Sequence, residues 1–197
     1  MTRLKTAPFA DEHLDDAAGL LAARHRAHLD WSPLLDASYE APAAARDAIE
    51  HEWSLDGASG AVALEGGTLV GYLIAAPQPG EAWGTNVLVG SAGAAADRAE
   101  TIRDLYGAAA QRWVDEGHHR HYALFPAGPA DWLDAWWRLS FGCQQVHGIQ
   151  VVRTERRPPA IDCGVCIRRR TRKAGGREQQ HRNQNHQLGD QAHLRLS

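Results

Sequence analysis

The feature that most constrains the fold of this sequence is a pair of apolar segments separated by two consecutive glycines. Both segments lie within residues 61–76 and consist mainly of Ala, Val, Leu, Ile and Tyr, several of which are favoured in strands. Gly66 and Gly67 stand between them and supply the backbone freedom that a tight turn requires. The pattern therefore predicts a β-hairpin in the middle of the chain.

Helical patterns precede and follow this hairpin. Apolar residues recur at three- and four-residue steps within residues 97–116, and Gly117 follows as a stop signal. Strand-like and helical segments alternate after the hairpin, so we predict an α/β (α+β) fold with a mixed, mostly antiparallel central sheet flanked by helices. In chain order the predicted elements are a strand at 2–8, a helix at 11–25, a loop at 31–42, a helix at 43–53, the hairpin at 61–76, a strand at 83–89, a helix at 97–116, a strand at 121–125, a helix at 129–139 and a strand at 144–152.

The net charge of −3 conceals an acidic part and a basic part of the chain. From Arg153 onward 11 Lys and Arg stand against 4 Asp and Glu, which gives residues 153–197 a charge of +7 and leaves residues 1–152 with −10. The basic segment is polar and of low complexity, so it cannot bury enough apolar surface to offset its ordering entropy. We predict one folded domain at residues 1–152, followed by a disordered tail.

The composition also indicates where the protein works. No apolar run approaches the roughly 20 residues that a membrane span needs, and the N-terminal residues show no apolar signal segment. Three cysteines are too few for the disulfide framework of a small secreted module. We therefore expect a soluble cytoplasmic protein with reduced thiols and no membrane partner.

The elements described above resemble the GCN5-related N-acetyltransferases. The likeness is carried by the hairpin, by the strand at 83–89 that leads into the helix ending at Gly117, and above all by the segment DAWWRLSFG at residues 134–142. It covers residues 1–152 and implies that acetyl-CoA is the co-substrate. It also implies that the strand before the long helix splays from its neighbour, so that the gap admits the pantetheine arm of acetyl-CoA.

In that family a loop of the pattern Gln/Arg-x-x-Gly-x-Gly/Ala opens the long helix and binds the pyrophosphate of the cofactor. Glycines let backbone N–H groups approach the phosphates, and a helix N-terminus favours negative charge. The loop aligns with residues 98–103, where Arg98 keeps the basic position and Thr101 and Arg103 replace the small residues. Either these side chains contact the phosphates, or their bulk closes the site and the two arginines are only exposed residues of a solvated turn. The cofactor-binding residues implied by the resemblance are Leu88, Val89, Arg98, Thr101, Ile102 and Arg103.

The resemblance leaves the proton-transfer groups open. Family members usually carry a Tyr that protonates the departing CoA thiolate, and this sequence has Trp136 at that position. Indole donates a hydrogen bond but gives up no proton at ordinary pH, so Trp136 is also interpreted as a packing residue, together with Trp132 and Trp137. Glu81 is the carboxylate best placed to act as a base, and its alternative is a solvated turn residue.

Two motifs of the tail have competing interpretations. Four residues, Cys163, Cys166, His181 and His186, have the spacing of a zinc site, but the residues between the ligand pairs supply almost no apolar core. We assign no metal to the chain and do not expect nucleic acid as its main partner. Residues 164–171 instead resemble the opening strand of a second domain of the same family. The chain is then the first half of a tandem protein whose second half is lost.

Three functions follow from these observations. The first is an N-acetyltransferase that moves an acetyl group from acetyl-CoA directly to a small-molecule or peptide amine. The thioester carbonyl would be polarised by a backbone N–H near Leu88 or Val89. The second is a degenerate domain of the same fold with a structural or regulatory role, and the third is nucleic-acid binding through the tail. A homodimer is left open.

Overall fold

The computed structural model describes residues 4–78 and 86–149, and these residues form a single sheet with helices on both faces. None of the helices in these two ranges is long and apolar enough to cross a membrane. In chain order the elements are β1 (Leu4–Pro8), a short 3-10 helix (Asp11–His13), α1 (Leu14–Trp31), α2 (Pro42–Trp53), β2 (Ser59–Glu65), β3 (Thr68–Pro77), β4 (Asn86–Val89), β5 (Ala94–Ala96), α3 (Thr101–Asp115), β6 (Arg120–Ala123) and α4 (Ala130–Arg138).

The predicted hairpin is confirmed. Strands β2 and β3 pair antiparallel from Ser59↔Ala75 to Glu65↔Thr68. Gly66 and Gly67 form the turn with φ angles of 63° and 90°, in the left-handed region that disfavours side chains. The two-residue glycine turn therefore sets the register of Leu64 and Glu65, and a shift between Ala63 and Leu64 changes the register for the rest of the pair.

The sheet has the order β1-β2-β3-β4-β6, and β5 also pairs with β3. The neighbours from β1 to β4 are antiparallel, as are β3 and β5, whereas β4 and β6 are parallel and joined through α3. This arrangement confirms the predicted mixed, mostly antiparallel sheet. The short strand β5 was not predicted.

Two apolar layers cover the faces of the sheet. Alternate side chains of β3 point to opposite faces, so Tyr72 and Ile74 pack against α1 and α2, while Leu73 packs against α3 and α4. Trp113 of α3 is 1% exposed and anchors the second layer. Complete burial of such side chains contributes roughly 1.5–3 kcal/mol each for an aliphatic group and more for indole.

The predicted strand at 144–152 is wrong where the structure describes it. Residues 144–149 form no regular element, and Val146 and Ile149 are 72% and 56% exposed. These two apolar side chains are separated by polar residues and glycine, and neither one packs on a core face. Residues 150–152 and the tail lie outside the described residues, so the division at residue 152 and the zinc and second-domain interpretations stay predictions.

Candidate functional site

A gap opens in the sheet where β4 and β6 diverge. The two strands are paired from Asn86↔Arg120 to Val89↔Ala123, and the next bond runs from the Leu124 N–H to the Val89 carbonyl at 2.9 Å. Beyond that point the strand that began as β4 is interrupted by residues 90–93, here called the bulge, and resumes as β5 beside β3. The gap therefore lies between β5 and residues 124–128.

The backbone of β5 presents polar groups to this gap. The Ile74 N–H donates to the Gly93 carbonyl at 2.7 Å, and the Asp97 N–H donates to the Val70 carbonyl at 3.0 Å. Because backbone groups alternate in direction along an antiparallel strand, those of Ala94 and Ala96 point away from β3. The Ala94 carbonyl accepts a hydrogen bond there from the guanidinium of Arg24.

The bulge is held by side chains from both helices of the first layer. Arg24 of α1 donates to the Ser91 carbonyl at 2.6 Å, and the Ala92 N–H donates to Glu52 of α2 at 2.8 Å. The Ser91 carbonyl and the Ala92 N–H belong to the same peptide unit, which is therefore clamped between a cation and a carboxylate. A Cβ on Gly93 would lie 2.8 Å from the Glu52 carboxylate, so this close approach requires glycine.

Burial governs the ionisation of the groups around the bulge. Burial raises the pKa of the Glu52 carboxyl, and the Ala92 N–H and the charge of Arg24 oppose this shift. Burial also lowers the pKa of Arg24. The guanidinium remains charged, because an arginine titrates far above neutral pH. Tyr72 donates to the Ala92 carbonyl at 2.6 Å, and burial raises the pKa of its phenol. The bulge is thus a fixed polar structure inside an apolar layer.

A small cavity of ≈ 10 Å³ occupies the gap. A space of this size holds about one water molecule. Two of the residues that line it carry a buried polar atom without a hydrogen-bond partner, Nε of Arg24 and Nδ1 of His28. The lining residues are Arg24, His28, Ala94, Ile102, Phe125, Pro126, Trp132 and Trp136.

His28 lies one helical turn beyond Arg24 and is 3% exposed. Its pKa is lowered to about 4 by burial and by the neighbouring Arg24 and His25. The imidazole is therefore neutral at physiological pH. The backbone of Gly128 covers its other side, since a Cβ there would lie 2.9 Å from Nε2 of His28.

Aromatic side chains close the opposite wall of the gap. Phe125 and Trp136 stack with ring centroids 5.3 Å apart and planes 9° apart, and Phe141 meets Trp136 edge-on at 5.0 Å. Trp136 is 1% exposed, whereas Trp137 is 54% exposed. Trp136 therefore lines the cavity and packs in the core at the same time.

The predicted pyrophosphate loop at residues 98–103 leads into α3 and forms its first turn. Thr101 and Ile102 are buried, with the Thr101 methyl group close to Gly71 of β3. The backbone N–H groups of Thr101, Ile102 and Arg103 donate to the carbonyls of residues 98–100 at 3.1–3.2 Å. These donors are already engaged within the turn, which reduces their capacity to bind a phosphate.

The basic side chains of this turn point to solvent and are paired with acids. Arg98 donates to Glu65 at 3.0 Å, and Arg103 lies 3.8 Å from Asp104. Arg138 of α4 reaches Glu100 at 3.1 Å across the same helix end. Arginines are therefore present at this helix end, but their charges are largely balanced by carboxylates.

Of the remaining predicted residues, Val89 belongs to the same buried apolar cluster as Ile102 of this turn. Leu88 pairs opposite Ala76 of β3, and Val89 is buried at the end of β4, where the gap begins. Glu81 lies outside the described residues. Sequence reasoning missed Arg24, His28 and Glu52. The available signal was two polar residues four positions apart, Arg24 and His28, on the apolar face that α1 shares with Leu14, Ala17 and Leu21.

Comparisons with known proteins identify the architecture. No family model matches the chain, and no curated protein sequence matches it. Among solved structures, a GCN5-related N-acetyltransferase from Ralstonia eutropha JMP134 is 14% identical over 76% of this chain and 99% of its own, with a TM-score of 0.55. A ribosomal-protein-alanine N-acetyltransferase from Brucella melitensis biovar Abortus 2308 is 15% identical over 76% of this chain and 100% of its own, with a TM-score of 0.52. A transcriptional regulator from Bacillus halodurans C-125 is 16% identical over 77% of this chain and 100% of its own, with a TM-score of 0.51. At these identities the likeness shows the fold alone.

Proposed function

We propose that this chain, which has the fold of the GCN5-related N-acetyltransferases, transfers an acetyl group from acetyl-CoA to a small-molecule or peptide amine. The observation that supports this function best is the gap between β5 and residues 124–128, into which Ala94 and Ala96 turn their backbone groups. An extended ligand with amide groups, such as the pantetheine arm, can pair with a strand edge of this kind. The solved structures of similar fold that are named N-acetyltransferases support the same assignment.

The proposed reaction is a direct transfer. The amine nitrogen attacks the thioester carbonyl, the C–N bond forms, and the C–S bond breaks with release of the CoA thiolate. The amine loses a proton and the thiolate gains one. The protein contributes positioning and stabilisation of the developing oxyanion. We place the carbonyl where β4 ends, near Leu88 and Val89, and infer that the Ala94 N–H is an additional donor toward the gap.

Cofactor binding requires side-chain movement in the gap. A cavity of ≈ 10 Å³ is too small for a pantetheine arm, and Arg24 occupies the Ala94 carbonyl that the arm would use. We propose that Arg24 releases this carbonyl when the cofactor enters. Arg98 and Arg103 then supply the phosphate contacts by their side chains, because the N–H groups of their turn are engaged. Thr101 and Ile102 contribute by holding the turn against the sheet.

A second candidate function is a domain of the same fold without catalysis. The small cavity and the engaged donors of the first turn of α3 favour this alternative. A third, nucleic-acid binding through the tail, concerns residues outside the described ones. The cytoplasmic location and a homodimer stay predictions.

Calorimetry of the full chain with acetyl-CoA tests the proposal. We expect Arg98→Ala and Arg103→Ala each to weaken binding by about 1–3 kcal/mol, as for charge-assisted hydrogen bonds. Arg112→Ala is the matched control, because Arg112 lies at the other end of the same helix and its side chain is 62% exposed, against 58% and 66% for Arg98 and Arg103. Absence of acetyl-CoA binding to the wild-type chain would reject the enzyme and favour the non-catalytic domain.

A further inference from the structure

We propose that Arg24 and His28 form a binding site for a carboxylate group of the substrate. The two side chains lie one turn apart on α1, are 8% and 3% exposed, and line the cavity between β5 and residues 124–128. The proposal rests on the proposed function for the class of ligand, which is an acyl-CoA donor or an acceptor amine. The site itself is defined by the contacts of these two residues.

The first argument is the unmet bonding capacity of the buried guanidinium. Its two Nη groups contact the carbonyls of Ser91 and Ala94, whereas Nε has no hydrogen-bond partner. Within residues 4–78 and 86–149 no carboxylate forms an ion pair with Arg24 at 4.0 Å or less. Buried charges are normally paired, because an isolated ion is costly to desolvate. A ligand carboxylate would supply the missing partner.

The second argument is geometric. A guanidinium binds a carboxylate through two parallel N–H groups, and Nε together with one Nη forms such a fork. Nε of Arg24 is available for the first bond, and the Nη group on the Ser91 carbonyl can exchange its neutral acceptor for a charged one. His28, which also lines the cavity, has a buried Nδ1 atom without a hydrogen-bond partner. A neutral imidazole can donate one further hydrogen bond to the ligand.

The third argument concerns charge. Glu52 is an acidic residue whose charge acts on Arg24, but its carboxylate accepts the Ala92 N–H on the other side of the clamped peptide. Arg24 therefore faces the cavity as the charged group. His28 and His25 are its neighbours on the same helix, and the His25 ring bonds the Asp36 carbonyl instead.

Two substrates could carry this carboxylate. It could belong to the acyl group of the donor, as in succinyl-CoA, or to the acceptor amine, as in an amino acid. Both present the same group to Arg24, and matched pairs of probes distinguish them. Succinyl-CoA and butyryl-CoA differ in a terminal carboxylate, and β-alanine and β-alaninamide differ in the same way.

Calorimetry of the full chain at neutral pH with these four probes tests the proposal. We expect the carboxylate member of at least one pair to bind at least about tenfold more tightly than its neutral partner. Arg24→Gln should abolish this preference, whereas Arg26→Gln should keep it. Arg26 is a suitable control because it lies on the same helix, is exposed, and donates a hydrogen bond to the Glu40 carbonyl.

Equal binding of both members in both pairs would overturn the proposal, as would a preference that survives Arg24→Gln. If Arg24→Gln does not fold, the wild-type chain still decides through the Nε–H resonance of Arg24, which must shift with the preferred carboxylate and not with its neutral partner. The β-alanine pair contains no CoA. A chain that binds neither CoA ester but prefers β-alanine therefore loses the proposed function and retains the carboxylate site. A chain that binds both CoA esters equally well and shows no preference for β-alanine keeps the proposed function and loses only the carboxylate site.

Discussion

Acidification should destabilise this fold through one residue, His28. The pKa of its imidazole is lowered from 6.5 to about 4, first by burial and then by Arg24 and His25. Between these values the unfolded chain binds a proton at this position and the folded chain does not. The free energy of unfolding therefore falls as the pH falls through this window. A difference of one pKa unit corresponds to about 1.36 kcal/mol. The free energy of unfolding therefore falls by roughly 2 kcal/mol by pH 5 and by roughly 3 kcal/mol by pH 4.

Urea unfolding followed by tryptophan fluorescence at pH values from 7.5 to 5 measures this loss. The quantity to compare is the slope of the free energy of unfolding against pH, taken as the wild-type slope minus the slope of His28→Gln. Burial raises the pKa of Glu52, which favours the folded state as the pH falls, but this opposing contribution is common to both proteins. His119→Gln, at an exposed position, should keep the wild-type slope. An identical slope in the wild type and His28→Gln would refute the assignment of the shift to His28.

Three further predictions concern packing and catalysis. Gly90→Ala should destabilise the fold by about 1–3 kcal/mol, because the new methyl group would collide with the Glu52 carboxylate. In urea titrations, Gly90→Ala should cost less when it is combined with Glu52→Ala. Trp136→Tyr should increase the turnover of acetyl-CoA several-fold if Trp136 occupies the position of the general acid. This gain is below the about 10²–10⁴-fold that is typical of well-placed acids. Unchanged fast turnover would show that another group supplies the proton. Truncation after residue 152 should leave the melting temperature almost unchanged, and a large decrease would show that the tail packs on the domain.

Local patterns account for the parts of the fold that the sequence predicts well. The hairpin, α2 and α3 each carry an apolar period or turn residues that act within a few positions of the chain. Strand β5 has no such signal. Its three alanines have no special preference for a strand, and they are extended because β3 pairs with them. The segment at 144–149 shows the converse, since its two apolar side chains, Val146 and Ile149, have no core face to cover.

The site was harder to predict because its residues are far apart in sequence. Arg24 and the Ala94 carbonyl are 70 positions apart, and only the packing of α1 across the bulge brings them together. A polar residue within an apolar helical stripe does not say which backbone group it will meet. The family resemblance directed attention to the first turn of α3, whereas the buried charges of the structure lie beside the bulge.

The clamped Ser91–Ala92 peptide offers a way to recognise distant relatives. Its requirements are few: an arginine in the third turn of the first helix, a glutamate near the end of the second, and Gly-x-x-Gly after the fourth strand. Because the two charges act on opposite ends of one peptide, they stabilise the same backbone geometry. We therefore expect proteins that share this bulge to carry both residues, and an alignment of such proteins checks whether positions 24 and 52 vary together.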